Sequence, residues 1–186
     1  MTGVVLAGGL GRRLGRPKAT ALLAGRPLIA YPLDALRAVC ERVVVVCKRD
    51  SELSLLEGAE RWDEPDEPRH PLAGIVHALE RAGEPVLVCG GDMPFVTAEV
   101  CALIARELRA GMNAAVARGD GRLQPLLAAY APGALDVMRA APADEPLTRT
   151  VEALMPALIE LDAAVVFNVN TPEDLAEAER RLTPRA

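Results

Sequence analysis

Short apolar runs alternate along this chain with segments whose apolar residues recur every three or four positions. Three of the runs, Thr2–Ala7, Arg42–Cys47 and Pro85–Cys89, are continuous in their apolar character. Such continuity is typical of strands that are buried on both faces of a parallel sheet. The other spacing, seen in Pro27–Val39 and Pro71–Arg81, predicts helices that pack one face on that sheet.

The same alternation continues to the C-terminus. Proline and charge mark a loop at Glu64–His70, and an N-cap, a proline and two acids at Thr171–Asp174 begin a last helix. Further helices are predicted at Thr97–Ala110, Pro132–Ala140 and Pro146–Met155, and further strands at Asn113–Ala117, Arg122–Tyr130, Leu158–Asp162 and Val165–Val169. Strands and helices in this order predict an α/β fold, a three-layer α/β/α sandwich, and residues 1–186 contain no repeat or long linker that would divide them into two domains.

Composition narrows the classes of partner. With 51% hydrophobic residues and a net charge of −5, the chain can form a large core but lacks the basic surface of a nucleic-acid or membrane-surface protein. No apolar run reaches the roughly 18 residues that span a bilayer, and the start does not have the pattern of a signal peptide. We therefore expect a cytoplasmic protein whose four cysteines are buried and reduced. The two histidines have no partners at ligand spacing, which argues against zinc.

Candidate chemistry concentrates in a loop directly after the first predicted strand. Leu6 to Lys18 reads LAGGLGRRLGRPK, with four glycines that allow a tight backbone. Its cations are Arg12, Arg13, Arg16 and Lys18, and Lys18 is one of only two lysines in the chain. Backbone N–H groups and clustered cations together favour a triphosphate as the ligand. The alternative is that this segment is a flexible surface loop with scattered arginines and binds no ligand.

Two familiar phosphate loops do not fit this segment. It has no Gly-Lys-Ser/Thr ending, as a Walker A motif would, and Leu14 stands where G-x-G-x-x-G needs its third glycine. The acidic residue that would bind an NAD ribose is also missing, since the second strand ends at Cys47-Lys48. These departures argue against a dehydrogenase.

The loop and the motifs that follow it resemble the molybdenum cofactor guanylyltransferase (MobA) family of the nucleotidyltransferase superfamily. The matching motifs lie in the family's order: Leu6 to Lys18, Ala24-Gly25-Arg26-Pro27-Leu28, Pro71-Leu72-Ala73-Gly74, Asp92-Met93-Pro94-Phe95-Val96, Gln124-Pro125-Leu126, and Asn168-Val169-Asn170-Thr171-Pro172-Glu173-Asp174-Leu175. The resemblance implies a Rossmann-like, mostly parallel sheet of the nucleotide-diphospho-sugar transferase type. It also implies transfer of GMP from GTP to a molybdopterin, possible transient contact with cofactor-delivery proteins, and Mg²⁺ as cofactor.

The resemblance assigns roles to particular residues. Arg13, Lys18 and Asp92 would be catalytic, with Asp92 as the metal ligand. The nucleotide would be bound by Leu6, Ala7, Gly8, Gly9, Arg12, Lys18, Lys48, Asp63 and Asp92. A single carboxylate is enough for Mg²⁺, which usually takes one or two together with phosphates and waters. By itself, Asp92 also fits an ordinary turn aspartate before a proline.

Asn168 and Asn170 are two of only three asparagines in the chain. If Val165–Val169 continues as a strand, their side chains point to one face, just before a helix N-terminus that favours anions. We expect them to bind a metal-bound water, phosphate or the acceptor. The alternative is that Asn170 or Thr171 only caps the helix.

The sequence departs from the family where the base is bound. Lys48 stands where the family usually has an asparagine, Asp63 is the nearest counterpart of a base-binding aspartate, and Pro17 replaces the aspartate before the loop lysine. Lys48 would then donate to guanine O6, and Asp63 would accept from the guanine N–H edge. Gly8-Gly9 matches the guanylyl form of the loop, whereas cytidylyl relatives usually read LAAG. The alternatives left open are a molybdenum cofactor cytidylyltransferase, a sugar-phosphate nucleotidyltransferase and a non-catalytic nucleotide-binding module.

Overall fold

The computed structural model describes residues 1–7, 21–51, 53, 59–142 and 144–182. Within them, seven strands form one sheet and two short strands form a hairpin. The strands are β1 (Thr2–Leu6), β2 (Leu22–Leu23), β3 (Arg26–Pro27), β4 (Arg42–Lys48), β5 (Glu60–Glu64), β6 (Val86–Gly90), β7 (Ala114–Gly119), β8 (Arg122–Tyr130) and β9 (Ala157–Leu161). The helices are α1 (Ala30–Arg37), α2 (Pro71–Ala82), α3 (Ala98–Glu107), α4 (Leu135–Ala140), α5 (Leu147–Glu152) and α6 (Pro172–Leu182).

The sheet has the order β5-β4-β1-β6-β8-β7-β9 and is mostly parallel. β1 pairs in parallel with β4 and β6, β4 with β5, and β7 with β9, while β8 runs antiparallel to β6 and β7. Helices cover both faces, which confirms the predicted three-layer α/β arrangement. The carboxyl ends of β1, β4, β5 and β6 therefore meet at one edge.

The core is divided by the sheet because successive strand residues point to opposite faces. Val5 and Val45 pack toward α1 and α3, with Leu36 and Ile104 among their neighbours. Val4, Val44 and Trp62 pack on the other face, toward α2, α4 and α5. All of these side chains are fully buried. Each contributes on the order of 1.5–3 kcal/mol of burial free energy, so the central strands form a rigid base for the loops at their ends.

A smaller apolar cluster joins the β2–β3 hairpin to α6 through Leu23, Leu28, Val169 and Ala178. The hairpin turns at Ala24 and Gly25, both with positive φ, and Leu28 N–H donates to the Ala21 carbonyl at 2.8 Å. The helix predicted from Pro27 consequently begins only at Ala30, because residues 26–27 pair in the hairpin first.

Two strand predictions were wrong, for opposite reasons. β5 was missed, and its last residue, Glu64, was assigned to a loop. The strand lies at the sheet edge and only Trp62 and Glu64 are buried, so its sequence ERWDE has no apolar run to detect. The strand predicted at Val165–Val169 is not formed. Its apolar residues pack into cores without ladder pairing: Val166 approaches Gly119, and Val169 joins the hairpin cluster.

Candidate functional site

The end of β1 lies between β4 and β6, and its backbone is fixed to both. Leu6 is in register with Val46 on one side and Gly90 on the other. Ala7 N–H donates to the Val46 carbonyl at 2.9 Å, and Gly91 N–H donates to the Leu6 carbonyl at 3.0 Å. The glycine-rich loop therefore begins at the centre of the sheet edge, the place where α/β folds bind ligands.

Several predicted site residues belong to this loop. Gly8, Gly9, Arg12, Arg13 and Lys18 all lie outside the described residues. Leu6 and Ala7 are described, and they define where the loop begins.

Asp92 lies beside this point, two residues beyond the end of β6. Its side chain is half-buried. A Cβ on Gly90 would lie 2.8 Å from Asp92 Oδ1, so the carboxylate occupies the space that the glycine leaves. Met93 N–H donates to the Gly90 carbonyl at 3.3 Å, closing the turn around Asp92. The turn thus holds a single carboxylate next to the start of the glycine-rich loop.

The asparagine segment comes to the same place from the far end of the chain. Val169 N–H donates to the Asp92 carbonyl at 2.9 Å, so Asn168 and Asn170 flank a residue bonded to the aspartate turn. Asn168 Nδ2 donates to the Val166 carbonyl at 2.9 Å, and Asn170 Nδ2 is 3.4 Å from the Asn168 carbonyl oxygen. The segment is therefore shaped by its own amide side chains and by Asp92 rather than by a ladder.

Reciprocal capping at the start of α6 fixes the other end of this segment. Asp174 N–H donates to Thr171 Oγ1 at 3.1 Å, and Asp174 Oδ2 accepts from the N–H groups of Asn170 and Thr171, each at 2.9 Å. This is a capping box with aspartate in the third helical position. The predicted N-cap is confirmed, and Asn170 is held by its backbone as part of the cap.

Both phenylalanines of the chain pack behind the segment, a contact that the sequence analysis did not identify. The rings of Phe95 and Phe167 are tilted with centroids 6.0 Å apart. Arg181 of α6 lies over Phe167 at 4.4 Å and over Phe95 at 5.8 Å, and its Nε donates to Glu177 at 2.8 Å. Stacking of this kind contributes about 0.5–1 kcal/mol at exposed sites. The signal available in the sequence was the placement of both phenylalanines next to site motifs.

Lys48 is the last residue of β4 and is only 3% exposed. Its ammonium donates to the carbonyls of Pro65 and of Pro68, the latter at 3.1 Å, and lies 3.5 Å from Glu64 Oε1. Burial raises the pKa of Glu64, and the charge of Lys48 opposes that shift. An ammonium has three protons, so the predicted contact from Lys48 to a base would require one of these interactions to be exchanged.

Asp63 lies on the opposite face of β5 from Glu64 and is exposed. Its Oδ1 accepts from Arg61 Nε at 2.6 Å, and Arg61 also donates to the carbonyls of Lys48, Arg49 and Ser51. The structure therefore does not bring Asp63 and Asp92 into one cluster. It places Asp63 in an ion pair that holds the turn after β4.

The cysteines and histidines take structural positions. All four cysteines are buried and unpaired, and burial raises the pKa of both Cys40 and Cys47 to about 11. His70 caps α2, its Nδ1 accepting from Leu72 N–H at 3.3 Å. Within the described ranges, no three His, Cys, Asp or Glu side chains come together as a metal-binding cluster. No helix in that part of the chain combines the length and apolarity needed to cross a bilayer.

Comparison with known proteins identifies the family of this chain. The family model for the MobA-like NTP transferase domain matches residues 3–158. A probable molybdenum cofactor guanylyltransferase of Natronomonas pharaonis is 34% identical over 98% of each chain, and a molybdenum cofactor guanylyltransferase of Rhodopseudomonas palustris is 32% identical over 95% of this chain and 89% of its own. The crystal structure of molybdopterin-guanine dinucleotide biosynthesis protein A from Archaeoglobus fulgidus superposes with a TM-score of 0.79 at 30% identity, covering 98% of both chains. With a match that extends over most of its length, the chain belongs to the family of MobA-like NTP transferase domains.

Proposed function

We propose that this nucleotidyltransferase moves GMP from Mg²⁺–GTP to the phosphate of a molybdopterin-type acceptor and releases pyrophosphate. The observation that carries the proposal is the meeting of the start of the glycine-rich loop, Asp92 and the Asn168–Asn170 segment at one edge of the sheet. The names of the near-full-length relatives support guanine as the base and molybdopterin as the acceptor. A cytoplasmic location and contact with cofactor-delivery proteins stay predictions.

The residues at Asp92 fit a magnesium ion. Its carboxylate is held in the space above Gly90, the register partner of Leu6, and Mg²⁺ needs only one or two carboxylates when phosphates supply the other ligands. Asp92 would hold the ion. When bound, Mg²⁺ neutralises phosphate charge and aligns the displacement.

In the proposed reaction, an oxygen of the acceptor phosphate attacks the α-phosphorus of GTP. The new P–O bond forms as the bond from the α-phosphorus to the bridging oxygen breaks, and the electron pair leaves with pyrophosphate. No general base is required, because a phosphate monoester has a second pKa of about 6 and is already mostly dianionic at neutral pH. The main obstacle is repulsion between two anions.

The cationic residues of the loop would reduce that repulsion. We assign Arg13 and Lys18 to the leaving pyrophosphate, with Arg12 among the nucleotide contacts, from their positions in the sequence motif. Asn168 and Asn170 would orient the acceptor phosphate, since their segment is bonded to the Asp92 turn and so lies beside the reacting centre.

The test is pyrophosphate release by the purified protein with Mg²⁺, molybdopterin and GTP, CTP or ATP in separate reactions. Release with GTP well above that with CTP or ATP is expected. Faster release with CTP would support the cytidylyltransferase alternative. Loss of release when molybdopterin is replaced by a sugar phosphate identifies the acceptor class, and no release with any triphosphate would contradict the proposal.

A further inference from the structure

The Lys48–Glu64 ion pair is buried at the end of two neighbouring strands. The two residues are register partners, each the last residue of its strand. Their side chains are 4% and 7% exposed, and the Lys48 ammonium lies 3.5 Å from Glu64 Oε1. Burying two charges is costly, and an apolar pair of similar volume is often as stable or more so. Stability alone therefore gives little reason for an ion pair at this position.

The second carboxylate oxygen of Glu64 lies beside Gly74, in the first turn of α2. Oε2 is buried and makes no hydrogen bond with the part of the chain that the structure describes. A Cβ on Gly74 would lie 3.1 Å from this oxygen and 3.0 Å from Cδ2 of Leu6. Glu64 and Leu6 thus share the space that Gly74 leaves open. Leu6 is the last residue of β1, and Ala7 after it is the last residue described before the glycine-rich loop.

Lys48 bonds to the chain segment that follows β5. Its ammonium donates to the carbonyls of Pro65 and Pro68, which form the turn leading into α2. The pair is therefore bonded to the turn at residues 65–68 and lies beside Gly74 in the first turn of α2, where Leu6 at the end of β1 also approaches. Asp63, by contrast, lies on the other face of β5 and pairs with exposed Arg61.

We propose that Glu64, through its buried pair with Lys48, is a positioning residue for base recognition. This inference rests on the proposed function. Discrimination between bases depends on polar groups held where the correct base pairs with all of them and a wrong base leaves some unpaired. Lys48 holds the backbone of the residue 65–68 turn, and Glu64 borders the space at Gly74 that Leu6 also borders. Since Leu6 and Lys48 are assigned to the nucleotide, these groups would form one wall of the base site. Removal of the pair loosens that wall without touching the phosphate machinery at Asp92.

The test compares nucleotide affinities and thermal unfolding across matched variants. GTP, ATP and CTP, each with Mg²⁺, are titrated calorimetrically into the wild type, Lys48→Met, Glu64→Gln and the double variant Lys48→Met/Glu64→Leu. Each single variant is expected to lower the ratio of GTP affinity to ATP affinity by about tenfold. Lys48→Met should also lower the melting temperature, because it leaves a buried carboxylate unpaired. The double variant should regain the melting temperature but not the affinity ratio, which separates base recognition from stability.

The control is the exposed Arg42–Glu60 ion pair at the opposite end of β4 and β5. Arg42 Nη2 lies 2.8 Å from Glu60 Oε2. Arg42→Gln/Glu60→Gln should leave the affinity ratio unchanged. A wild-type ratio in the folded double variant would overturn the inference and leave the proposed function intact. A wild type that binds no triphosphate and releases no pyrophosphate would instead remove the proposed function, and this inference with it.

Discussion

Asp92 owes its position to the absence of a side chain at Gly90. A Cβ at Gly90 would lie only 2.8 Å from Asp92 Oδ1. Because glycine has no Cβ, the carboxylate can lie over the end of β6. The backbone carbonyl of Asp92 meanwhile accepts from Val169 N–H, so the residue joins two motifs that are distant in sequence. A change to the side chain can thus alter charge without breaking the backbone contact.

Asp92→Asn should abolish nucleotidyl transfer while the protein stays folded. The amide keeps the size of the side chain but removes the negative charge that a hard divalent cation requires. Pyrophosphate release is measured across Mg²⁺ concentrations, and thermal unfolding is measured on the same samples. Near-normal release by the folded variant would show that Asp92 is not the metal ligand.

Lys18→Ala should reduce kcat/KM for the triphosphate more than Arg16→Ala does. Lys18 matches the superfamily lysine and is one of two lysines in the chain, whereas Arg16 matches no fixed motif position. A placed ammonium that binds the leaving phosphates contributes more to the transition state than a nearby charge with no fixed contact to them. Equal losses in the two variants would mean that the loop acts as a diffuse cationic surface.

The start of α6 has two tasks, since it both caps the helix and holds the asparagine segment. The Asp174 carboxylate accepts from the N–H groups of Asn170 and Thr171 and so fixes the backbone of one proposed acceptor residue. Behind it, Arg181 stacks on Phe167 and keeps the helix against the Asp92 turn. We expect the helix and the site to weaken together when this cap is removed.

Asp174→Ala should lower the free energy of unfolding by about 0.5–2 kcal/mol, the usual effect of losing a helix cap. It should also raise the KM for the acceptor more than the KM for GTP, because only the acceptor is assigned to Asn168 and Asn170. Urea unfolding and steady-state kinetics measure the two effects. Glu173→Ala, an exposed acid in the same turn, is the matched control and should change neither quantity strongly. An unchanged acceptor KM in the Asp174 variant would show that the helix cap does not position the acceptor-binding residues.

The apolar layer on the α1 and α3 side of the sheet contains all four cysteines. Burial raises the pKa of the Cys40 and Cys47 thiols to about 11. A hydrogen bond with Cys101, together with burial, raises the pKa of Cys89. Because the thiolate is the reactive form, both burial and protonation protect these side chains in the folded protein.

Alkylation near pH 8 should therefore be slow in the folded protein and should reach all four thiols only after denaturation.

The raised thiol pKa values also make the free energy of unfolding depend on pH. Unfolded thiols ionise with a pKa of about 8.5, so the unfolded state loses protons first as the pH rises. The thiol contribution to stability is complete below that pH and is lost as the pH rises toward the folded value of about 11.

Urea unfolding between neutral and alkaline pH checks this dependence, with Cys40→Ala/Cys47→Ala as the comparison. The wild type should lose stability more steeply than the variant over the alkaline part of the range. Parallel pH profiles, or rapid labelling of the native protein, would show that these thiols are accessible in the folded state.

The sequence by itself determined the elements of the central sheet and the identity of the glycine-rich motif. β1, β4 and β6 are continuous apolar runs, and such runs leave little choice when both faces of a strand must be buried. The cap at Thr171 was also predictable, because a helix start depends on four adjacent residues. The assignments of Arg13 and Lys18 rest on the sequence motif and remain predictions.

Only the tertiary structure decided how distant segments meet. β5 carries charges on its exposed face and is a strand because β4 offers it an edge. Val165–Val169 is apolar, but Val166 packs at Gly119 and Val169 packs in the hairpin cluster, without pairing to a strand. The side-chain positions of Lys48 and Asp63 likewise could not be predicted from the local sequence. Adjacent strand ends turn Lys48 toward Glu64 and the residue 65–68 turn, and alternation along β5 places Asp63 on the opposite face. These outcomes depend on contacts between residues far apart in the chain, and no local pattern encodes them.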